Sequence, residues 1–146
     1  YNRIAYNEWI RPAFLDYSRQ GIICALVFLD ADNFKRLNDT FGHEYGDKVL
    51  QRIVAVLKEQ CPEGGYVCRY GGDEFITFFP HATPANTNEY VQKVQKLLGK
   101  ERIEVSMGTK LTQPGDGESL DDYLALADER MYQQKQQRKE QSHDAQ

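Results

Sequence analysis

Histidine and cysteine are scarce in this 146-residue chain, three of each, and their placement excludes several functions. Cys24, Cys61 and Cys68 make an odd number without C-x-x-C spacing, so neither a disulfide framework nor a zinc site is indicated, and reduced thiols of a cytoplasmic domain are expected. His43, His81 and His143 are scattered and none lies beside a cysteine, which leaves a soft-metal centre without support. Long hydrophobic runs are missing too. The longest, Ile22 to Leu29, falls far short of the roughly 20 apolar residues that a membrane-crossing helix needs. No secretory leader pattern is present. Basic charge is also in deficit: 18 lysines and arginines face 22 acids, a formal net charge of −4. No global field therefore draws nucleic acid to the surface, and a phosphate ligand must be met by a local group of cations or by a metal ion. What remains is the make-up of one globular domain, 40% hydrophobic and 27% charged. Its start at Tyr1-Asn2-Arg3, without methionine, reads as a piece of something longer.

The apolar pattern sets out the elements. Tyr6, Trp9, Ile10, Ala13, Phe14 and Tyr17 recur at helical spacing, with Pro12 kinking that helix or starting a second one and Gly21 ending it. Ile22 to Leu29 lacks alternation, as expected of a central strand covered on both faces, and it ends at Asp30-Ala31-Asp32. A carboxylate there sits where open α/β sheets bind ligands. Asp32 is read as the cap of a helix starting at Asn33; Asp30 is one position too early for that role. Phe34, Leu37 and Phe41 mark a short helix closed by Gly42. Val49, Leu50, Ile53, Val54, Val56 and Leu57 mark a core helix over Glu44 to Gln60, with Asp47 in its first turn. Thr83 and Pro84 open a further helix with Tyr90, Val91, Val94, Leu97 and Leu98 inward. Arg102 to Thr112 alternates as a strand, and Ser119 begins a last helix that buries Leu120, Leu124, Ala127 and Met131. The domain is expected over 1–140, with a frayed tail at 141–146.

The chemistry gathers at Arg69-Tyr70-Gly71-Gly72-Asp73-Glu74-Phe75. Aromatic and β-branched runs flank two glycines, a hairpin signature in which Gly-Gly supplies positive φ. Gly71 and Gly72 also leave bare backbone where a bulky anion could approach. Asp73 and Glu74 beside a phosphate make sense with a divalent cation between them. If Asp30 and Asp73 converge from neighbouring strands, they suit Mg²⁺, which takes one or two carboxylates and completes its shell with water and phosphate. Phosphoryl or nucleotidyl transfer is the expected chemistry.

This heptapeptide, together with Asp30 to Asp39, Phe41-Gly42-His43 and Gly46-Asp47, resembles the GGDEF family of diguanylate cyclases over nearly the whole chain. The resemblance implies a mixed α/β (α+β) fold like that of nucleotide cyclases and polymerase palms, with a mostly antiparallel five-stranded sheet flanked by helices. It implies condensation of two GTP into cyclic di-GMP and pyrophosphate by a homodimer, with two Mg²⁺ or Mn²⁺ ions per site. It also implies an upstream sensor or dimerisation domain, no nucleic-acid or membrane partner for this domain, and a parent protein whose membrane anchoring stays open. Asp30, Asp73 and the Ala31 carbonyl would be metal ligands, and Glu74 would assist at the reacting hydroxyl or stabilise the transition state. Asn38 and Asp47 would bind the guanine edge. The Phe34 and Lys35 amides, the Lys35 side chain and Lys135 would meet the phosphates, beside Gly71 and Gly72.

Two departures qualify this. Where the family has Gly-Arg the chain has Arg138-Lys139, so the second phosphate contact is Lys139 or a shifted Arg138, and a lysine there loses the bidentate fork. The family's R-x-x-D product-inhibition site is replaced by Pro62-Glu63-Gly64-Gly65, which has no cation for it; no cyclic di-GMP is expected there. The rival reading is a weak or inactive domain of the same fold that binds GTP and regulates an attached partner.

Overall fold

The computed structural model describes residues 3–144, with side chains through 140. Four strands, β1 (Cys24–Ala31), β2 (Tyr66–Arg69), β3 (Glu74–Pro80) and β4 (Val105–Leu111), form one antiparallel sheet in the order β2-β3-β1-β4. Around it lie α1 (Arg3–Ala5), a π-helical turn (Tyr6–Ile10), α2 (Arg11–Arg19), α3 (Phe34–Phe41), α4 (His43–Gln60), α5 (Pro84–Lys100) and α6 (Leu120–Asp144).

Alternation within β1 shows why its sequence carries no polar interruption. Ala25, Val27, Leu29 and Ala31 pack into one core with α4 and α5, while Cys24, Leu26 and Phe28 pack into a second with the N-terminal helix and α6. Both faces are covered, so each alternate position must be apolar. The strand runs on through Asp30 to Ala31 and does not stop where the acid begins. By the same period, Asp30 stands on the α6 face with Leu26 and Phe28, directly across from Glu74 of β3.

The expected fifth strand is not found among the described residues, and side chains of α6 lie along the outer edge of β4. Gln134 of α6 accepts the Met107 N–H at 2.7 Å, and Arg130 donates to the Thr109 carbonyl at 2.7 Å. Side chains one helical turn apart thus take backbone groups that another strand would use. No glycine or proline stands after Gly117 to stop α6, so the backbone of the expected tail stays helical as far as Asp144, and residues 145–146 lie outside the described residues. Gly108 lets α6 approach: a Cβ there would overlap the Ala127 carbonyl and the Met131 amide.

Other expectations shift in detail. Pro12 sits in the first turn of α2, directly after the π turn. The wider turn rotates Trp9 out of the stripe, leaving it 60% exposed while Tyr6, Ile10 and Phe14 are buried. The first-turn acid of α4 is Glu44, and Asp47 lies a turn further along, exposed. Thr83 caps α5 in a capping box with Asn86, as its sequence suggested. The three cysteines are free.

Candidate active site

The β2–β3 hairpin forms where its residues predicted, but its glycines act differently. The positive-φ glycines are Gly21, Gly42, Gly64, Gly115 and Gly117, not Gly71 or Gly72. The connection is a four-residue turn closed by the Tyr70 N–H on the Glu74 carbonyl at 2.8 Å and braced by Arg69, whose Nε donates to the Gly72 carbonyl at 3.0 Å. A Cβ at Gly71 would meet the end of the Glu74 side chain, which would have to swing aside, whereas nothing crowds Gly72. The turn hands Asp73 to the end of β1, where its carbonyl accepts the Ala31 N–H at 3.1 Å.

Asp30 and Asp73 are therefore brought together at the strand end, near enough for the charge of one to act on the other. Lys135 Nζ lies 2.6 Å from Asp30 Oδ2, whose side chain is 13% exposed. Burial above all, and then the Asp73 charge, pushes the Asp30 carboxyl from 3.8 up to about 6, against the pull of Lys135. Burial also raises Glu74, with Asp30 and Asp128 adding to it and Arg3 and Lys135 opposing. For Lys135, burial works against the charge, but contact with Asp30 outweighs it and holds the ammonium above its ordinary value. Asp30 Oδ1 is buried without a hydrogen-bond partner. An orphaned carboxylate oxygen beside a second carboxylate fits a hard divalent cation. Among the described residues no cluster of three or more His, Cys, Asp or Glu side chains is arranged to hold an ion.

Asp32 is not a helix cap. The helix starts at Phe34, and Asn33 precedes it in the left-handed region (φ 55°) with no side-chain cap, which leaves the first-turn amides of Phe34 and Lys35 uncapped by it. Asp32 instead accepts Ser106 Oγ at 2.7 Å and pairs with Arg138 at 3.0 Å. Arg138 is thus the cation beside the start of α3, while Lys139, the next residue along the helix, is exposed. Lys35 is exposed on the first turn of α3.

At the α3–α4 junction, Asn38 Oδ1 is buried without a partner. A Cβ at Gly46 would overlap that oxygen, so the glycine makes the amide's place. Asp47 follows, exposed at the same junction.

Sequence reasoning missed Asp128, whose carboxyl is raised by burial and by the Asp30 charge. Its spacing of seven from Lys135 on one helix put both on the same face and was a usable signal. The partnership of Asp32, Ser106 and Arg138 had no such signal, because it joins β1, β4 and α6.

Comparison with known proteins agrees with this architecture. A family profile described as "Diguanylate cyclase, GGDEF domain" matches residues 1–141. Diguanylate cyclase VdcA of Vibrio cholerae is 31% identical over 76% of this chain and 36% of its own length. Probable diguanylate cyclase DgcI of Escherichia coli is 35% identical over 75% of this chain and 25% of its own. The chain spans little more than a third, or less, of the length of the curated relatives it matches. Among solved structures, the GGDEF domain of DgcB from Caulobacter crescentus, in complex with c-di-GMP, superposes with a TM-score of 0.85 at 27% identity, covering 92% of this chain and 85% of that one. No helix among the described residues is long and apolar enough to cross a membrane. With a family profile spanning all but its last residues, this chain belongs to the GGDEF domain family of diguanylate cyclases.

Proposed function

We propose that this domain condenses two molecules of GTP into cyclic di-GMP. The observation that carries the reading is the meeting of Asp30 and Asp73, with an unpartnered buried oxygen on Asp30, at the mouth of the signature hairpin. Each 3′-hydroxyl attacks the other nucleotide's α-phosphorus. A P–O bond forms, the bond to the leaving pyrophosphate breaks, and two such steps close the ring. Asp30, Asp73 and the Ala31 carbonyl would hold Mg²⁺ or Mn²⁺, up to two ions, which when bound neutralise phosphate charge and acidify the hydroxyl. Glu74, its carboxyl raised by burial, takes the hydroxyl proton. Asn38 and Asp47 select guanine: the amide and the carboxylate can answer the base's carbonyl and N–H groups together. The Phe34 and Lys35 amides hold phosphate at the start of α3, and Lys135 leaves Asp30 to join them.

One site holds one nucleotide, so turnover needs a second copy of the domain bringing its own GTP face to face. The test is to fuse the domain to a dimerising coiled coil, supply GTP and Mg²⁺, and measure pyrophosphate and cyclic dinucleotide, with Asp73→Ala as the control. Turnover lost in the variant is the expected result. GTP binding without turnover in the unaltered domain would instead favour a regulatory GTP-binding module, a reading supported by the exposed Lys139 at the position where the family carries arginine.

A further inference from the structure

The longer helices are each tied across the molecule by side chains. Tyr17 of α2 donates to the Gly64 carbonyl at 3.1 Å, and Arg52 of α4 reaches Glu101 at 2.7 Å. Tyr90 of α5 donates to the Leu57 carbonyl at 3.1 Å, and Lys135 and Arg138 tie α6 to the end of β1. α3 has no such tie. Among the described residues, none of its side chains makes a hydrogen bond or an ion pair, and its backbone bonds go no further than Asn33 and Gly42 at its two ends. No residue of α3 is buried. Phe34 and Leu37 rest partly covered on the core, and Phe41 meets the exposed Tyr45 ring, 5.1 Å between centroids.

Both ends of this helix can turn. Asn33 (φ 55°) and Gly42 (φ 90°) flank it, and a few residues at an element's ends are where a hinged segment absorbs its change of dihedral angle. A cavity of about 120 Å³ separates Phe34 and Leu37 of α3 from Ala31, Val49 and Ile103 of the body, so the helix has room to settle inward. Eight residues are also too few to stay helical away from a support, since helices shorter than roughly 12–15 residues are marginal in water. Yet α3 carries the groups assigned to the nucleotide: the Phe34 and Lys35 amides, and the Asn38 oxygen, buried without a partner.

We propose that α3 is a flap that closes on the nucleotide, and that the guanine base holds it shut through Asn38. This rests on the reading of the site as one for GTP. An N–H of the base edge gives the Asn38 oxygen the partner it lacks and supplies the tie that α3 is without. Phosphate by itself engages only the first turn. Closure brings Phe34 and Leu37 down onto the cavity. A ligand that leaves Asn38 unpaired leaves the far end of the helix open.

Amide hydrogen exchange at Leu37 to Gly42, followed by NMR in the presence of Mg²⁺, tests this in three states: the free domain, the domain saturated with a non-hydrolysable GTP analogue, and the domain saturated with tripolyphosphate, which offers phosphates without the base. In the free domain these amides should exchange at least about tenfold faster than those of Ile53 to Leu57 in α4. The analogue should slow them about tenfold, roughly the worth of one hydrogen bond, and tripolyphosphate should not. Val49→Ile adds one methylene to the cavity wall and should slow them about fourfold without ligand. Protection equal to that of α4 in the free domain, or equal slowing by both ligands, would overturn the proposal. So would unchanged or faster exchange in the Val49→Ile domain. An analogue that binds by calorimetry yet leaves these amides unchanged refutes the flap and spares the GTP reading, whereas absence of binding refutes both.

Discussion

Replacing Asp30 by asparagine should make the metal-free domain more stable, although it removes an ion pair. The Asp30 carboxyl is pushed up from 3.8 to about 6, by burial first and by Asp73 next, and this net position already includes the attraction of Lys135. A carboxyl whose folded value is raised favours the fold fully below its unfolded value and loses that advantage as pH rises through the folded one. Above pH 6 the native state therefore carries a carboxylate it would rather protonate. The rise corresponds to about 3 kcal/mol at most, and solvent screening at the mouth of the site reduces it to about 1–2 kcal/mol. For a chain of this length that is about 3–6 °C in Tm. Thermal unfolding followed by circular dichroism at pH 7.5, without nucleotide or divalent cation, should show Asp30→Asn melting higher by that margin. At pH 4.5 the margin should fall by half or more. A variant less stable than the parent at pH 7.5, or a margin indifferent to pH, would refute the account of a carboxylate held under strain for a ligand.

Gly46→Ala places a Cβ on the Asn38 carboxamide oxygen; GTP affinity by calorimetry should drop about tenfold, the loss of roughly one hydrogen bond, while the fold stays intact by circular dichroism. Because Arg138 reaches Asp32 at 3.0 Å and Lys139 is exposed, Arg138→Ala should weaken binding of a non-hydrolysable GTP analogue by about tenfold, roughly the worth of one charge-assisted contact. Lys139→Ala should weaken it less, and the reverse order would assign the phosphate contact to Lys139. Cyclic di-GMP should leave the resonances of Pro62 to Gly65 unmoved in a titration followed by NMR, since that turn, closed by the Gly65 N–H on the Pro62 carbonyl at 3.1 Å, has no cation.

The sequence by itself determined what local pattern can determine. An uninterrupted apolar run becomes a strand buried on both faces, Thr83-Pro84 starts a helix, and two glycines between aromatic runs become the hairpin that bears Asp73. It also named the acids, through motifs whose spacing is a property of the chain. Tertiary structure decided which groups meet. Asp32 looks like a cap along the chain, yet in space it is the partner of Ser106 and Arg138 from two other elements. The contacts along the outer edge of β4 are likewise tertiary, because they come from side chains of α6. Gly46 matters for the Asn38 and Phe34 atoms that approach it rather than for its φ angle. Backbone preference acts over a few neighbouring residues and can be read in order along the chain. Charge, desolvation and steric contact act through space between segments as many as 115 residues apart, and only the packed molecule brings those together.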